Sequence, residues 1–386
     1  MHRFAFLRLL TLAAADRTCL AADESCNQMA AKQVNVALLG VGGVGRALVD
    51  ALVGARAHHR DVYGLQFNLK VLADSSGFLS GDLSDAQLRK ASDAKAKGKP
   101  LSTLTGATGG DAGQAIVALG KNAIIVDVTA SGATTPLLIE ALSNGQKIVA
   151  ANKKPFSSEQ SPYDALVGYP VRHNSVRHES TVGAGLPAIA ALNRLSMAND
   201  KVRKIAGTFS GTLGFVMSGL EAGRPFSEVV LEAKAKGYTE PDPRDDLGGV
   251  DVARKALILA RGLDWRLELS DVQVEPLYPP AMASLSVDEF LAQLPSLDAD
   301  FKSRASAAKA KGEALRYAAT IENGKLNVGL VSVSVTSPLG SLSGTDNLVE
   351  YYTTWYDPSP LVVRGAGAGA GATAAGVVSD MVELSV

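Results

Sequence analysis

The stretch from Gly237 to Lys255, GYTEPDPRDDLGGVDVARK, concentrates side chains that can exchange protons. Its two prolines prevent helix formation in the first half, and a glycine pair then releases the backbone into a predicted helix. Asp251 and Lys255 are four residues apart on that helix, so a carboxylate and a lysine suited to acid–base chemistry share one face. The alternative is a solvated loop with an ordinary surface ion pair. The prolines restrict the loop and the glycines allow backbone conformations that other residues avoid, which together favour a specifically shaped site.

A glycine-rich turn near the start of the chain is the second candidate site. Gly40, Gly42 and Gly45 follow the predicted strand VNVALLG and begin a helix, with Gly43 and Val44 at its first turn. Glycines at this spacing permit a tight turn and the close approach of a pyrophosphate to the free N–H groups of the helix. The alternative is a purely structural turn, but a strand before it and a helix after it favour a dinucleotide site.

Asp74 ends the second predicted strand, where an acid usually binds the ribose 2′-hydroxyl. More residues than usual separate Gly45 from Asp74, so we predict an insertion in the connection between the first and second strands. No arginine follows to bind a 2′-phosphate, although Ser75 and Ser76 could do so in part. The lysine-rich segment 93–106 is predicted to be a surface excursion without a special role.

Two further predicted strands end in polar residues at the same edge of this sheet. One ends at Thr129, Ala130 and Ser131, and the other is followed by Asn152 and Lys153. Lys153 could simply begin a helix in solvent. A lysine directly after a buried strand, however, faces the crevice at the carboxyl edge, where open α/β sheets bind ligands.

Taken whole, GYTEPDPRDDLGGVDVARK closely resembles the substrate-site signature of the homoserine dehydrogenase family. The resemblance runs from about Val34 to Val386 and is to the short monofunctional type, without a regulatory domain. It implies NAD(P)-dependent interconversion of L-homoserine and L-aspartate 4-semialdehyde, a step in threonine, methionine and isoleucine biosynthesis.

The resemblance also implies roles for particular residues, with NAD or NADP as the cofactor. Glu240 would bind the substrate ammonium, and the other implied substrate residues are Asp246, Gly207 and Thr208. The implied cofactor contacts, besides the glycine turn and Asp74, are Thr129, Ala130, Ser131, Lys153, Gly365 and Gly367.

The segment HESTVGAGLPAIAALNRL (178–195) is similar to the family's monovalent-cation turn. The resemblance implies that carbonyls of Glu179, Val182, Ala184 and Leu186 bind Na⁺ or K⁺. The intervening glycines let successive carbonyls converge, which suits a hard cation. From the residues alone, a plain turn before a helix remains the alternative.

The implied reaction sets three requirements for the protein. It must fix an amino acid, hold C4 near the nicotinamide, and take the hydroxyl proton. We predict that Lys255 takes this proton, that Asp251 lies beside it, and that Lys153 helps to polarise the hydroxyl. Exclusion of water by bound ligands would make the lysine easier to deprotonate.

The predicted fold is α/β, with a Rossmann-type doubly wound parallel sheet and an α+β region containing an open sheet. That sheet has one apolar face and is expected to pack against a second copy across a two-fold axis, giving a homodimer. The predicted parts are an extension (1–32), an NAD(P)-binding domain (33–155), a catalytic and dimerisation region (156–360) and a closing segment that returns to the cofactor domain (361–386).

The composition and the first residues bear on what the protein binds and on its cellular compartment. A net charge of −1 with 20% charged residues offers no basic surface for nucleic acid, and Cys19 and Cys26 form no disulfide framework. Residues 1–28 loosely resemble a signal or transit peptide, but their apolar run is too short to span a membrane. The preferred interpretation is that translation begins at Met29. We therefore expect a cytoplasmic enzyme, with organelle targeting through residues 1–28 as the alternative.

Rival functions lack the residues that they need. A thioester-forming aldehyde dehydrogenase requires a cysteine nucleophile deep in the chain, and none follows Cys26. A short-chain dehydrogenase requires Tyr-x-x-x-Lys, which does not occur, and a zinc alcohol dehydrogenase lacks its ligands here. A dinucleotide-sensing protein without chemistry remains an alternative, disfavoured by the acids around Lys255.

Overall fold

The computed structural model describes residues 30–386, which form two β-sheets with helices packed on them. The two interpretations of the leading segment, a targeting peptide or the region before a start at Met29, lie outside the described residues. None of the helices between residues 30 and 386 combines the length and the apolar character that crossing a membrane requires.

The first sheet has the strand order β4-β3-β2-β1-β5-β6-β7. Its strands are β1 (Lys32–Leu39), β2 (Leu65–Asp74), β3 (Gly77–Ser80), β4 (Thr108–Gly109), β5 (Ile124–Asp127), β6 (Lys147–Ala150) and β7 (Val176–Arg177). β1 pairs in parallel with β2 and β5, while β3 and β4 add an antiparallel edge. Val36 and Leu38 are buried on one face of β1, and Ala37 and Leu39 on the other, because helices cover both faces. The predicted Rossmann-type sheet is confirmed.

Helices connect these strands and lead into the second sheet. They are α1 (Gly43–Gly54), α2 (Arg56–Tyr63), α3 (Asp85–Ala96), α4 (Gly113–Val117), α5 (Thr135–Ser143), α6 (Lys154–Ser157), α7 (Gln160–Val167) and α8 (Ala188–Met197). α1 buries Leu48, Val49 and Leu52, which recur at helical spacing. α3 begins in a capping box, in which the Ser84 side chain and the Gln87 side chain each bond the other's backbone N–H.

The second sheet is mixed and has the order β13-β12-β8-β10-β11-β9. Its strands are β8 (Lys204–Thr208), β9 (Gln273–Val274), β10 (Glu313–Glu322), β11 (Lys325–Ser334), β12 (Asp346–Tyr352) and β13 (Leu361–Ala366). β10 and β11 form the hairpin predicted from the Asn-Gly dipeptide, because Asn323 and Gly324 both adopt the positive φ that a two-residue turn requires.

Helices cover one face of this sheet more fully than the other. They are α9 (Gly211–Glu221), α10 (Phe226–Ala235), α11 (Arg244–Leu247), α12 (Val250–Gly262), α13 (Val287–Gln293) and α14 (Asp298–Ala310). On the helical face, Ile321 and Val349 share a core with Val252 and Ala256 of α12. The opposite face carries a smaller cluster of Ala318, Leu339, Leu342 and Leu348, with Val331 and Val333 only partly buried against it.

The end of the chain links the two sheets. β13 pairs with β12 in the second sheet, and α15 (Ala370–Glu383) then packs on the first sheet. Ala374, Val377 and Met381 of α15 are buried in the same core as Leu38 and Leu48. The glycine run between β13 and α15 therefore lies where the two parts of the molecule meet.

Candidate active site

The turn between β1 and α1 has the geometry of a pyrophosphate site. Gly40 has a φ of +95°, and its N–H donates to a carbonyl near the end of β2 at 2.9 Å. A Cβ on Gly45 would lie 2.0 Å from the Gly40 carbonyl oxygen, so the turn closes only around glycine. Gly42 precedes α1 without a side-chain cap, which leaves the N–H groups of the first turn, at Gly43 and Val44, for an anion. These features fit a dinucleotide.

A buried acid organises the neighbouring strand ends. Asp127, the last residue of β5, accepts hydrogen bonds from the Thr129 N–H (2.9 Å), the Thr134 hydroxyl (2.6 Å) and the Asn152 amide (2.9 Å). These bonds fix the loop 129–131, which holds the predicted cofactor residues, against the chain that precedes α6. Sequence reasoning missed Asp127, although an acid at the end of an otherwise apolar buried strand was a usable signal.

The predicted catalytic residues meet at one carboxylate. Asp251 Oδ2 lies 2.7 Å from the Lys255 ammonium, and Oδ1 lies 3.0 Å from the Lys153 ammonium, which comes from the end of the first sheet. Lys255 also donates to the Phe209 carbonyl at 2.6 Å. Burial alone would raise the pKa of the Asp251 carboxyl, but the two ammonium groups outweigh it and hold the pKa well below its ordinary value. Asp251 is therefore ionised and bridges both lysines.

Close backbone approach positions α12, which carries Asp251 and Lys255. Gly249 precedes this helix with a φ of +73°, and a Cβ there would lie 2.0 Å from the Tyr317 hydroxyl. Tyr317 is itself fixed, because its hydroxyl donates to the Glu275 carbonyl at 2.8 Å. Only glycine therefore lets α12 begin this close to β10.

A second contact ties α12 to the Lys153 segment. The Arg254 guanidinium donates to the Ser157 hydroxyl at 3.1 Å, and that hydroxyl donates to the Lys153 carbonyl at 2.9 Å. Buried Arg261, two turns further along α12, donates to the Phe156 carbonyl at 3.1 Å. These bonds set the backbone of Lys153 relative to the helix that carries its carboxylate partner.

The acids of the loop before α12 divide into two groups. Asp246 accepts the backbone N–H of Glu240 at 2.8 Å, and burial raises the pKa of its carboxyl above the ordinary value. The Glu240 side chain itself is exposed. Asp242 instead pairs with Arg244 at 2.6 Å, and Arg244 in turn bonds the carbonyls of the loop before α13. Asp242 thus holds the loop, whereas Glu240 and Asp246 lie together.

Gly207 and Thr208 end β8, directly before the Phe209 carbonyl that accepts from Lys255. Thr208 pairs with Leu348, so its side chain lies on the sheet face opposite the helices. Within residues 30–386 its buried hydroxyl has no hydrogen-bond partner. The backbone of this strand end, rather than the Thr208 hydroxyl, is what lies near Lys255.

The predicted cation turn is sharply bent and leads into α8. Gly183 and Ala184 have φ values of +77° and +58°. The buried Glu179 carboxylate accepts the N–H groups of Ile189 and Ala190, both at 2.6 Å, so it caps α8. Burial raises the pKa of the Glu179 carboxyl to about 7. The side chain therefore has a structural partner, and only backbone carbonyls remain as cation ligands.

Two of those carbonyls already accept backbone hydrogen bonds. The Glu179 carbonyl accepts the Val182 N–H at 3.2 Å, and the Leu186 carbonyl accepts an N–H of α8 at 2.7 Å. A carbonyl has two lone pairs, so each can still bind a cation. Across the described residues, no group of three or more His, Cys, Asp or Glu side chains could hold a metal ion.

The glycine run after β13 approaches this turn. Gly365 lies beside Leu186, and the Gly367 carbonyl accepts the side-chain amide of buried Asn347 at 3.3 Å. Ala370, which begins α15, lies against Gly43 of the pyrophosphate turn. Gly365 and Gly367 thus lie with the second sheet and the 178–186 turn, and the chain reaches the pyrophosphate turn at Ala370.

Asp74 is more enclosed than the sequence suggested. Lys95 of α3 lies 2.5 Å from its carboxylate, and the Ser76 hydroxyl and the Leu101 N–H also donate to it. Most of 93–106 is exposed, as predicted, but the expectation that it has no role is wrong, because Lys95 binds Asp74 and Leu101 is fully buried. The capped start of α3 and the buried Leu101 together fix this insertion on the end of β2.

Comparison with known proteins gives one family for both parts of the chain. The model described as "Homoserine dehydrogenase, NAD binding domain" matches residues 40–175, and the model "Homoserine dehydrogenase" matches residues 187–382. Homoserine dehydrogenase of Saccharomyces cerevisiae is 36% identical over 373 residues, covering 92% of this chain and 99% of the yeast protein.

Other similar proteins include longer bifunctional enzymes and proteins with a solved structure. A bifunctional aspartokinase/homoserine dehydrogenase of Haemophilus influenzae is 44% identical over 262 residues, which cover 67% of this chain and 32% of that protein. The chain thus spans about a third of the bifunctional relatives that it matches. The crystal structure of a putative homoserine dehydrogenase from Archaeoglobus fulgidus has a TM-score of 0.73 at 25% identity, covering 91% of this chain and 99% of its own. The chain belongs to the homoserine dehydrogenase family, whose members are NAD(P)-dependent oxidoreductases.

Proposed function

We propose that this chain interconverts L-homoserine and L-aspartate 4-semialdehyde. The observation that carries the proposal is the bridge of Asp251 to Lys153 and Lys255, which joins the end of a dinucleotide-binding sheet to α12. A bound nicotinamide supplies the acceptor for the hydride that leaves C4 of homoserine. The glycine turn fits such a cofactor, because only glycine closes it around free N–H groups.

In this proposal the protein residues bind the amino acid and move one proton. Glu240 and Asp246 bind the substrate ammonium near the start of α12. The neutral amine form of Lys255 accepts the hydroxyl proton as the hydride leaves, and the resulting ammonium returns it to the carbonyl oxygen in the reverse direction. Lys153 polarises the same oxygen. Asp251 keeps both ammonium groups oriented, and its own 44% exposed side chain leaves the cluster accessible to a substrate.

The experiment that tests this function is a direct assay. Purified protein is mixed with L-homoserine and NAD⁺ or NADP⁺, and absorbance is followed at the reduced-nicotinamide band. We expect reduction of at least one cofactor only when L-homoserine is present. A protein that binds dinucleotide but reduces neither cofactor would instead be the sensing protein considered above.

We propose that the carbonyls of Glu179, Val182, Ala184 and Leu186 bind Na⁺ or K⁺. Thermal stability or activity should then rise when either ion replaces tetramethylammonium at constant ionic strength, because the organic cation is too large for converging carbonyls. The unusual φ of Ala184 supports the proposal, since that strain needs compensation. Identical melting curves and rates in all three salts would leave the turn as the start of α8 only.

We also propose a homodimer formed through the less covered face of the second sheet. Val331 and Val333 are partly exposed there beside the apolar cluster of Ala318 and Leu348. Sedimentation should give the mass of two chains, and Val333→Glu should shift the protein toward one. Val171→Glu, at an exposed valine elsewhere, is the matched control. A single-chain mass for the unchanged protein would contradict the proposal.

A further inference from the structure

A cavity of about 630 Å³ lies beyond β7, the edge strand of the first sheet. Its walls come from the chain around β7, from α7 and α8, and from the C-terminal ends of α12 and α15. None of the described residues that line it belongs to the proposed substrate, cofactor or proton-transfer sites. A cavity of this volume holds a small organic molecule. It is therefore a second place, apart from the proposed active site, where a ligand could be bound.

Asp380 of α15 presents a buried carboxyl group to this cavity. The residue is 4% exposed, and its Oδ2 accepts the Glu179 N–H at 2.9 Å. Between residues 30 and 386, no hydrogen bond reaches Oδ1, and no Lys, Arg or His side chain forms an ion pair with this acid. An acid buried without a counter-charge is costly, so Oδ1 is a position that a cationic ligand would satisfy.

The arginines that line the same cavity are engaged elsewhere. The Arg177 guanidinium donates to Glu383 at 3.3 Å, to a backbone carbonyl and to a side-chain amide oxygen. Arg172 lies 2.5 Å from Asp264, and Arg194 is exposed on α8. The protein thus brings cations to the cavity but leaves Asp380 without one, which leaves room for the cation of a ligand.

A second buried polar group in the cavity also lacks a partner. Tyr163 of α7 is 4% exposed, and within the described part of the chain its hydroxyl makes no hydrogen bond. Buried tyrosine hydroxyls usually find a hydrogen-bond partner. Leu192 of α8 and Ile258 of α12, each 1% exposed, add an apolar wall. An apolar wall with a few unpaired polar groups is the usual composition of a ligand pocket.

We propose that this cavity binds a small organic cation, a primary ammonium on an apolar body. The ammonium donates to Asp380 Oδ1, and the apolar body packs against Leu192 and Ile258. The Tyr163 hydroxyl is free to bond a polar group of the ligand. An anionic ligand is disfavoured, because it would bring a second negative charge to an acid that has no cation. This site goes beyond the proposed function, since no step of homoserine oxidation requires it.

Benzylamine, benzyl alcohol and benzoate test the proposal, because they share one apolar ring and differ in charge. Their binding to the ¹⁵N-labelled full chain at neutral pH is measured by NMR from shifts of the amide signals. We expect benzylammonium to bind about 10- to 100-fold more tightly than the alcohol, the usual contribution of a hydrogen bond between charged groups, and benzoate to bind most weakly. The largest shifts should come from amides that line the cavity, such as those of Asn193 and Gly262.

Three variants locate the binding site. Asp380→Asn keeps the shape of the side chain and should reduce benzylammonium binding to the level of benzyl alcohol. Asn193→Trp fills the cavity from a half-buried position on α8 and should abolish binding of every probe. Asp93→Asn, at an exposed acid of α3, is the matched control and should bind as the unchanged protein does. Circular dichroism establishes that each variant is folded.

Several results would overturn the proposal. They are the absence of benzylammonium binding, equal affinity for benzylamine and benzyl alcohol, tighter binding of benzoate, and normal benzylammonium binding by a folded Asp380→Asn protein. If Asp380→Asn does not fold, undiminished binding by folded Asn193→Trp overturns it in the same way. No measurement in this series involves turnover, so failure of the homoserine assay would leave these affinities untouched.

Discussion

The Lys255→Met enzyme is expected to oxidise L-homoserine with a kcat about 10²–10⁴-fold below that of the unchanged enzyme, the usual contribution of one general acid–base group. Methionine keeps much of the length of the lysine side chain but cannot accept the hydroxyl proton. Because Lys255 is only 12% exposed and bonds Asp251 and the Phe209 carbonyl, water cannot readily take its place. Steady-state rates at saturating substrate and cofactor give the comparison.

Two measurements separate this effect from general damage. Cofactor affinity depends on the glycine turn and should stay near normal in Lys255→Met. Glu240→Ala should differ in kind, raising KM for homoserine because the substrate ammonium loses its partner. A Lys255→Met enzyme with near-native kcat would assign the proton to Lys153 or to a bound water.

Asp251→Asn should lower kcat by about 10- to 100-fold and move the rise of the oxidation rate to lower pH. The carboxylate bonds both Lys153 and Lys255, and asparagine leaves the two ammonium groups close together without their anion. An ammonium group that has lost its carboxylate loses its proton more easily, so the basic form appears at lower pH. Orientation of both lysines is lost as well.

The pH profile distinguishes this role from a merely structural one. Asp245→Asn, at an exposed acid of the preceding helix α11, changes the charge equally and should leave both kcat and the profile unaltered. An Asp251→Asn enzyme with a reduced kcat but an unshifted profile would mean that the carboxylate orients the helix without influencing the lysines electrostatically.

Local patterns in the sequence identified much of the fold. The glycine spacing after VNVALLG, the Asn-Gly hairpin and the helix beginning at Val250 are each dictated by residues close together in the chain. The i, i+4 pair of Asp251 and Lys255 is local in the same way, and the structure contains it at 2.7 Å. Short-range geometry decides such features before tertiary packing does.

Contacts between distant parts of the chain are not encoded in this local way, and the grouping of Lys153 with Asp251 and Lys255 followed from the family resemblance. Lys153 reaches Asp251, and Arg254 reaches Ser157, only because α12 packs on the segment that follows β6. Lys95 meets Asp74 because α3 folds back across the end of β2, a path that the polar sequence of 93–106 does not reveal. No local period encodes these pairs, so patterns of neighbouring residues do not predict them.

The transfer of one hydrogen from homoserine to the nicotinamide is the most direct test of the proposed function. L-homoserine carrying deuterium at both C4 positions is incubated with the protein and the oxidised cofactor, and the reduced cofactor is analysed by mass spectrometry. We predict one deuterium in every reduced nicotinamide, because the hydride leaves C4 while Lys255 takes the hydroxyl proton. Reduced cofactor without deuterium, or no reduction at all, would contradict it.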